Sequence, residues 1–110
     1  MNTSTMTKIK AKIENESSIT KERKTELLGL LSTLESEIAN LSKTHSDHAE
    51  SIAGFIERST HEATRREKKP ELLKISLAGL TESVTGFESS HPTLVADINS
   101  ICTVLANMGI

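Results

Sequence analysis

Tryptophan and tyrosine are absent from this chain, and phenylalanine occurs only at Phe55 and Phe87. Aromatic and β-branched residues favour strands, so their scarcity beside abundant Leu, Ala, Glu, Lys and Ser argues for helices. Proline also occurs twice, and no Asn-Gly or Asp-Gly pair is present, which leaves little hairpin punctuation. The single Cys102 excludes an intramolecular disulfide framework and a thiolate zinc cluster; within an apolar helical pattern it reads as a buried small hydrophobe. No stretch of about 18 apolar residues occurs, as a membrane span requires. Met1 to Lys12 holds no apolar run resembling a signal peptide, so the expected compartment is the cytoplasm, with no membrane partner.

Basic charge is missing from the last third: all 13 Lys and Arg lie at or before Lys74. From Ile75 onward only Glu82, Glu88 and Asp97 are charged. A helical segment so poor in charge is usually covered on more than one face. Overall the net charge is −2 and the pI about 6.1, which gives no global attraction to nucleic acid or an acidic membrane. With 110 residues the chain has the size of a single domain, 1–110. Only 35% of it is apolar, a thin core for a monomer, which points towards an oligomer.

Met6, Ile9 and Ile13 recur at helical spacing and predict a short amphipathic helix over 3–15. Thr20 or Ser18 can cap the next helix. From there Leu27, Leu31, Leu34, Ile38 and Leu41 follow a 4-3-4-3 seam of coiled-coil type, and the register continues through His45, His48, Ile52 and Phe55. Thr, His, Ser and Asp are poor helix formers, so Lys43 to Asp47 can be a loop. The unbroken register favours instead one long helix over 20–68, roughly 70 Å at 1.5 Å per residue. Pro70 suits a first helical position, and the cations Arg65, Arg66, Lys68 and Lys69 before it suit the negative end of the preceding helix.

The segment 70–108 reads as an αα-hairpin turning at Ser89-Ser90-His91-Pro92. Its first helix, Pro70 to about Ser89, carries an apolar seam of Leu73, Leu77, Leu80, Val84 and Phe87. A second seam holds only small residues: Ser76, Gly79, Ser83, Gly86 and Ser90. Glycine inside a helix costs about 1 kcal/mol relative to alanine, so Gly79 and Gly86 suggest close approach of another helix; a solvated Ser/Gly face is the alternative. The second helix presents Leu94, Ile98, Ile101, Leu105 and Met108. Met108-Gly109-Ile110 reads as a Schellman-type stop with Gly109 left-handed and Ile110 folding back onto Leu105. The fold class is therefore all-α: an elongated, coiled-coil-like bundle with a short helix, a long helix and a hairpin. The hairpin leaves part of the long helix in need of other cover, from the first helix or from a second subunit, and a symmetric dimer is the simplest solution.

Phe87-Glu88-x-x-His91-Pro92-x-Leu94, followed by the terminal Met108-Gly109-Ile110, resembles the C-terminal signature of a family of small bacterial all-helical proteins of unknown function. Ser59-x-His61-Glu62-Ala63-Thr64-Arg65 is similar to a segment of some members. The resemblance covers roughly the second half of the chain. It implies an all-α fold in a bacterial cytoplasm, and it implies no activity.

Candidate chemistry is sparse. His45 and His48, three apart on one face, can share a metal, but a zinc site generally needs a third protein ligand; a polar layer in the seam explains them as well. His61-Glu62 departs from the zinc-protease motif because Arg65 stands where its second histidine belongs. Glu88-x-x-His91 is a single copy across a helix end and reads as turn chemistry. There is no Gly-x-Ser-x-Gly, no phosphate-cradling Gly-rich loop and no activated cysteine. Arg65 to Lys69 can grip an anion, but Glu67 interrupts the run and no aromatics interleave it, so nucleic acid is not the expected partner. The expectation is a non-enzymatic structural or interaction protein without a cofactor, self-associating as a dimer or docking an unidentified helical partner. A metal-binding bundle using His45 and His48 and a weak anionic-ligand binder using Arg65–Lys69 are the alternatives.

Overall fold

The computed structural model describes the backbone of residues 2–109 and the side chains of residues 5–109. Five helices follow one another: α1 (Asn2–Asn15), α2 (Lys21–Leu41), α3 (Ser46–Thr64), α4 (Pro70–Ser83) and α5 (Pro92–Met108). No strand occurs among the described residues. The all-α expectation holds; the elongated shape does not. With extents of 37 × 24 × 22 Å and a Cα radius of gyration of 13.0 Å, the chain has the compactness of an ordinary domain of this length.

The difference originates at one joint. The long helix expected over 20–68 ends at Leu41 and restarts at Ser46. Ser42 turns its hydroxyl onto the Ala39 carbonyl at 2.8 Å, and the Leu41 carbonyl gathers the N–H groups of Thr44 and His45 at 3.1 and 2.8 Å together with the Thr44 hydroxyl at 3.4 Å, local bonds that close the helix end. His45 leaves helical geometry at φ −136°, ψ 63°. The buried face then changes phase. Beyond the joint the core takes Ala49, Ile52, Ile56, Ser59 and Ala63, whereas His45, His48 and Phe55 of the expected register are exposed.

Folding back closes the core within one chain. α3 packs on α2 and α4, and α5 packs on α2 and α4, which makes a four-helix ring, while α1 covers the α2–α3 edge. Leu27, Leu31, Leu34, Ile38 and Leu41 are at most 1% exposed, so the seam expected to bind a second subunit is consumed by α1, α3 and α5 of the same chain. Leu73, Leu80, Val84, Phe87, Leu94, Ile98, Ile101 and Leu105 are buried as expected, and Leu77 and Met108 pack half-buried against them. Met6, Ile9 and Ile13 seat α1 on the core, and Lys10 reaches Glu35 of α2 at 2.7 Å. Thr20, rather than Ser18, caps α2 by accepting the Arg23 N–H at 3.2 Å.

The hairpin differs from its expected form in its turn. α4 stops at Ser83, and residues 84–91 form a longer connection. Val84, Thr85 and Gly86 are weak helix formers, and Gly86 takes φ +99°, which only glycine adopts freely. The expected close-packing role of Gly86 is thereby corrected: nothing lies within 4 Å of where its Cβ would stand. Its N–H is received by the Glu88 carboxylate at 2.9 Å, the turn chemistry expected of Glu88. Gly109 is corrected as well. Its φ of −85° is not left-handed, and its lack of a side chain instead admits Leu73, against which a Cβ would collide. Ile110 lies outside the described residues.

A candidate interaction face on α3 and α4

The small-residue stripe of α4 meets a helix of its own chain. Ser76 is 6% exposed, with its hydroxyl bonded back to the Leu72 carbonyl at 2.8 Å. Ser83 likewise turns its hydroxyl onto the Leu80 carbonyl at 2.6 Å. At Gly79 a Cβ would strike the ring of Phe55 on α3. The expected close approach is therefore present at Gly79, with α3 as the partner. Its effect is to admit the Phe55 ring against α4.

That ring belongs to a larger surface. Leu72 and Ile75 lie one turn apart on α4 and are 43% and 66% exposed; Phe55 of α3, at 38%, stands against Gly79, one turn beyond Ile75. These are the large hydrophobic side chains that the described residues leave in water. Around them Glu71, Lys74, Ala78 and Glu82 are exposed on α4, and Ser51, Gly54 and Arg58 line the surface beside Phe55 on α3. On the α5 side, an apolar groove of about 360 Å³ is lined by Pro70, Leu73, Lys74, Leu77, Ala106 and Gly109. Sequence periodicity missed Leu72 and Ile75 because they stand off the Leu73–Leu77–Leu80 seam; two large apolar residues off the seam of a charge-poor helix were the available signal.

The histidines are assembled differently from the expected pair. His45 and His48 at the start of α3 and His91 before α5 surround Phe87, whose ring stands 5.4, 5.3 and 5.4 Å from theirs, each edge-on. Phe87 is 8% exposed and joins the α2–α3 connection to the α4–α5 connection. Thr44 and Ser90 hydroxyls engage Nδ1 of His45 and His91 at 2.8 and 2.9 Å. His48 stays with His45, their ring centroids 6.0 Å apart, while His61 lies elsewhere on α3. Among the described residues no three His, Cys, Asp or Glu side chains form a group able to hold a metal ion.

Two members of the cationic run close α3, while Arg66 is exposed. Arg65 pairs at 2.9 Å with Glu62, a carboxylate only 4% exposed, and Lys68 donates to the Ala63 carbonyl at the helix C-terminus. Lys69 lies 3.2 Å from Glu67. Burial pushes the Cys102 thiol above its ordinary pKa, and Cys102 reaches Thr81 of α4 at 3.8 Å, so it behaves as a half-buried packing residue. The Asp97 carboxyl on α5 is also pushed up from its ordinary pKa, because it is desolvated and because Glu37 of α2 adds a like charge; its Oδ2 makes no hydrogen bond among the described residues. No helix among the described residues is long and apolar enough to cross a membrane.

Residues 27–110 match the domain of unknown function DUF4404. No curated protein and no solved structure matches the chain.

Proposed function

Since the chain belongs to the DUF4404 family, a domain of unknown function, we propose its role from its own geometry: a non-catalytic helical interaction protein that self-associates through the outer face of α3 and α4. The observation that carries this reading is Ile75, an isoleucine 66% exposed at the centre of a helix, flanked by Leu72 and by Phe55. Scattered apolar residues on a surface are ordinary, but Leu72 and Ile75 stand a turn apart on α4 and Phe55 packs at Gly79, one turn beyond Ile75; a cluster of this kind supports an association site. Gly79 supports the reading, because a larger residue there would lift Phe55 off α4 and break the surface. Neither the histidines nor Arg65–Lys69 offers a comparable observation, since His45, His48 and His91 pack on Phe87 and Arg65 and Lys68 close a helix end.

The test is the solution mass of the Ile75→Glu variant by light scattering across a concentration series, with Asn99→Glu on the exposed side of α5 as the control. The expected result is association of the natural chain and of Asn99→Glu, and a 12.0 kDa species for Ile75→Glu with an unchanged helical spectrum. Association that survives in Ile75→Glu would remove α4 from the interface.

A further inference from the structure

We infer that the occupant of this face is a second copy of the same chain, with the two α4 helices antiparallel across a two-fold axis that passes between Leu73 and Lys74. The inference rests on the self-association reading and adds its geometry. A two-fold interface places the same patch on both sides, so the patch must complement itself. α4 meets that demand in its charges. Glu71 and Lys74 lie on one flank of Ile75, three residues apart, both exposed. Neither belongs to an ion pair within the chain among the described residues.

In a parallel pair the two-fold would run along the helices and set the Glu71–Lys74 flank opposite the partner's Leu72 flank, where α4 offers neither charge a partner. An antiparallel pair instead sets each flank against its own copy, with the order along the axis reversed. Glu71 then comes level with residues 75–76 of the partner, within a turn of Lys74, and the symmetry makes that contact twice. On the other flank and along the centre, the same axis sets Leu72 against the partner's Ile75, so two pairs of large apolar side chains leave water together. The opposed helix dipoles favour the same direction.

The available area sets the strength. α3 is 19 residues long, and two helices side by side present a face of roughly 500 Å² per copy, below the ~800 Å² of a standard stable complex. The dimer is therefore a concentration-dependent equilibrium, with exchange between copies.

The experiment is a charge swap read by sedimentation of the full chain. Glu71→Lys turns both contacts into Lys–Lys pairs, and Lys74→Glu turns both into Glu–Glu pairs; each weakens dimerisation by about tenfold at low salt. The double variant Glu71→Lys/Lys74→Glu restores opposite charges and returns the affinity to within about threefold of the natural chain. Both positions are exposed, and unchanged thermal unfolding of the monomer confirms that each variant folds. Double-variant affinity as weak as the singles, while Ile75→Glu still abolishes association, would overturn the antiparallel arrangement and leave the self-association face standing. A natural chain that stays monomeric throughout the concentration series would overturn both.

Discussion

Removing the Phe87 ring should loosen two inter-helix connections at once. Phe87 belongs to the eight-residue joint before α5, yet its ring is buried against His45 and His48 from the joint before α3. At 8% exposure it loses nearly the full burial of a phenylalanine when truncated, and Phe→Ala in a packed site costs about 3–5 kcal/mol. His45 and His48 are exposed and can partly follow the collapse, which sets the expectation for Phe87→Ala at about 3 kcal/mol. Each edge-on ring pair carries about 0.5–1.5 kcal/mol beyond its area, so His45→Ala alone should cost about 1 kcal/mol. A double-mutant cycle between Phe87→Ala and His45→Ala should return a coupling of about 0.5–1 kcal/mol. The chain has no tryptophan or tyrosine, so urea unfolding is followed by far-ultraviolet circular dichroism. A Phe87→Ala cost below about 1 kcal/mol, with no coupling to His45, would refute the idea that this ring ties the two joints together.

Two further perturbations test the core and its closure. Asp97 holds its proton more tightly in the folded chain than unfolded, so its contribution is most favourable below its ordinary pKa of 3.8 and is lost as pH rises through the raised folded value. Asp97→Asn should therefore be more stable than the natural chain at neutral pH, with the gap closing as pH falls towards 4; a gap independent of pH would contradict the assignment. Gly109→Ala should cost about 1–3 kcal/mol through collision with Leu73, and Leu73→Val in the same chain should recover part of it. No recovery in melting temperature would place the cost in the backbone of Gly109 instead.

Most of the core was readable before the structure. The heptad-like spacing of Leu27, Leu31, Leu34, Ile38 and Leu41 predicts their burial, as do Met6, Ile9 and Ile13, because a helix of fixed period turns spacing directly into a face. The joint at 42–45 sets local propensity against register. A seam of His45, His48, Ile52 and Phe55 continues the register of α2 in phase, and periodicity alone cannot distinguish that continuation from a restart. The competing pattern of Ala49, Ile52, Ile56, Ser59 and Ala63 was less visible because it is built largely from small residues, whose burial shows only when another helix lies against them. Ser42, Thr44 and the two histidines, weak helix formers in one short stretch, carried the correct signal. Local propensity outweighed register here because folding back buries the seam inside the chain.

The interaction face was legible in part. Gly79 was read as a point of close approach, and the neighbour is α3 of the same molecule. Gly86 shared its spacing but serves a turn, since spacing on a helical wheel has no meaning once the helix has ended at Ser83. Leu72 and Ile75 emerge as a surface only when α3 occupies the adjacent flank and brings Phe55 beside them. His91 joins the other two histidines through tertiary folding, and its distance along the chain gave no sign of it.

Everything proposed for the α3–α4 face depends on the chain folding back at His45, and small-angle scattering extrapolated to infinite dilution tests that most directly. The account predicts a compact particle whose radius of gyration lies close to the 13.0 Å of its Cα atoms, allowing for a hydration layer. A continuous helix over 20–68 would span roughly 70 Å and give a radius near 20 Å, and that result would contradict the fold, the buried α2 seam and the face built from them.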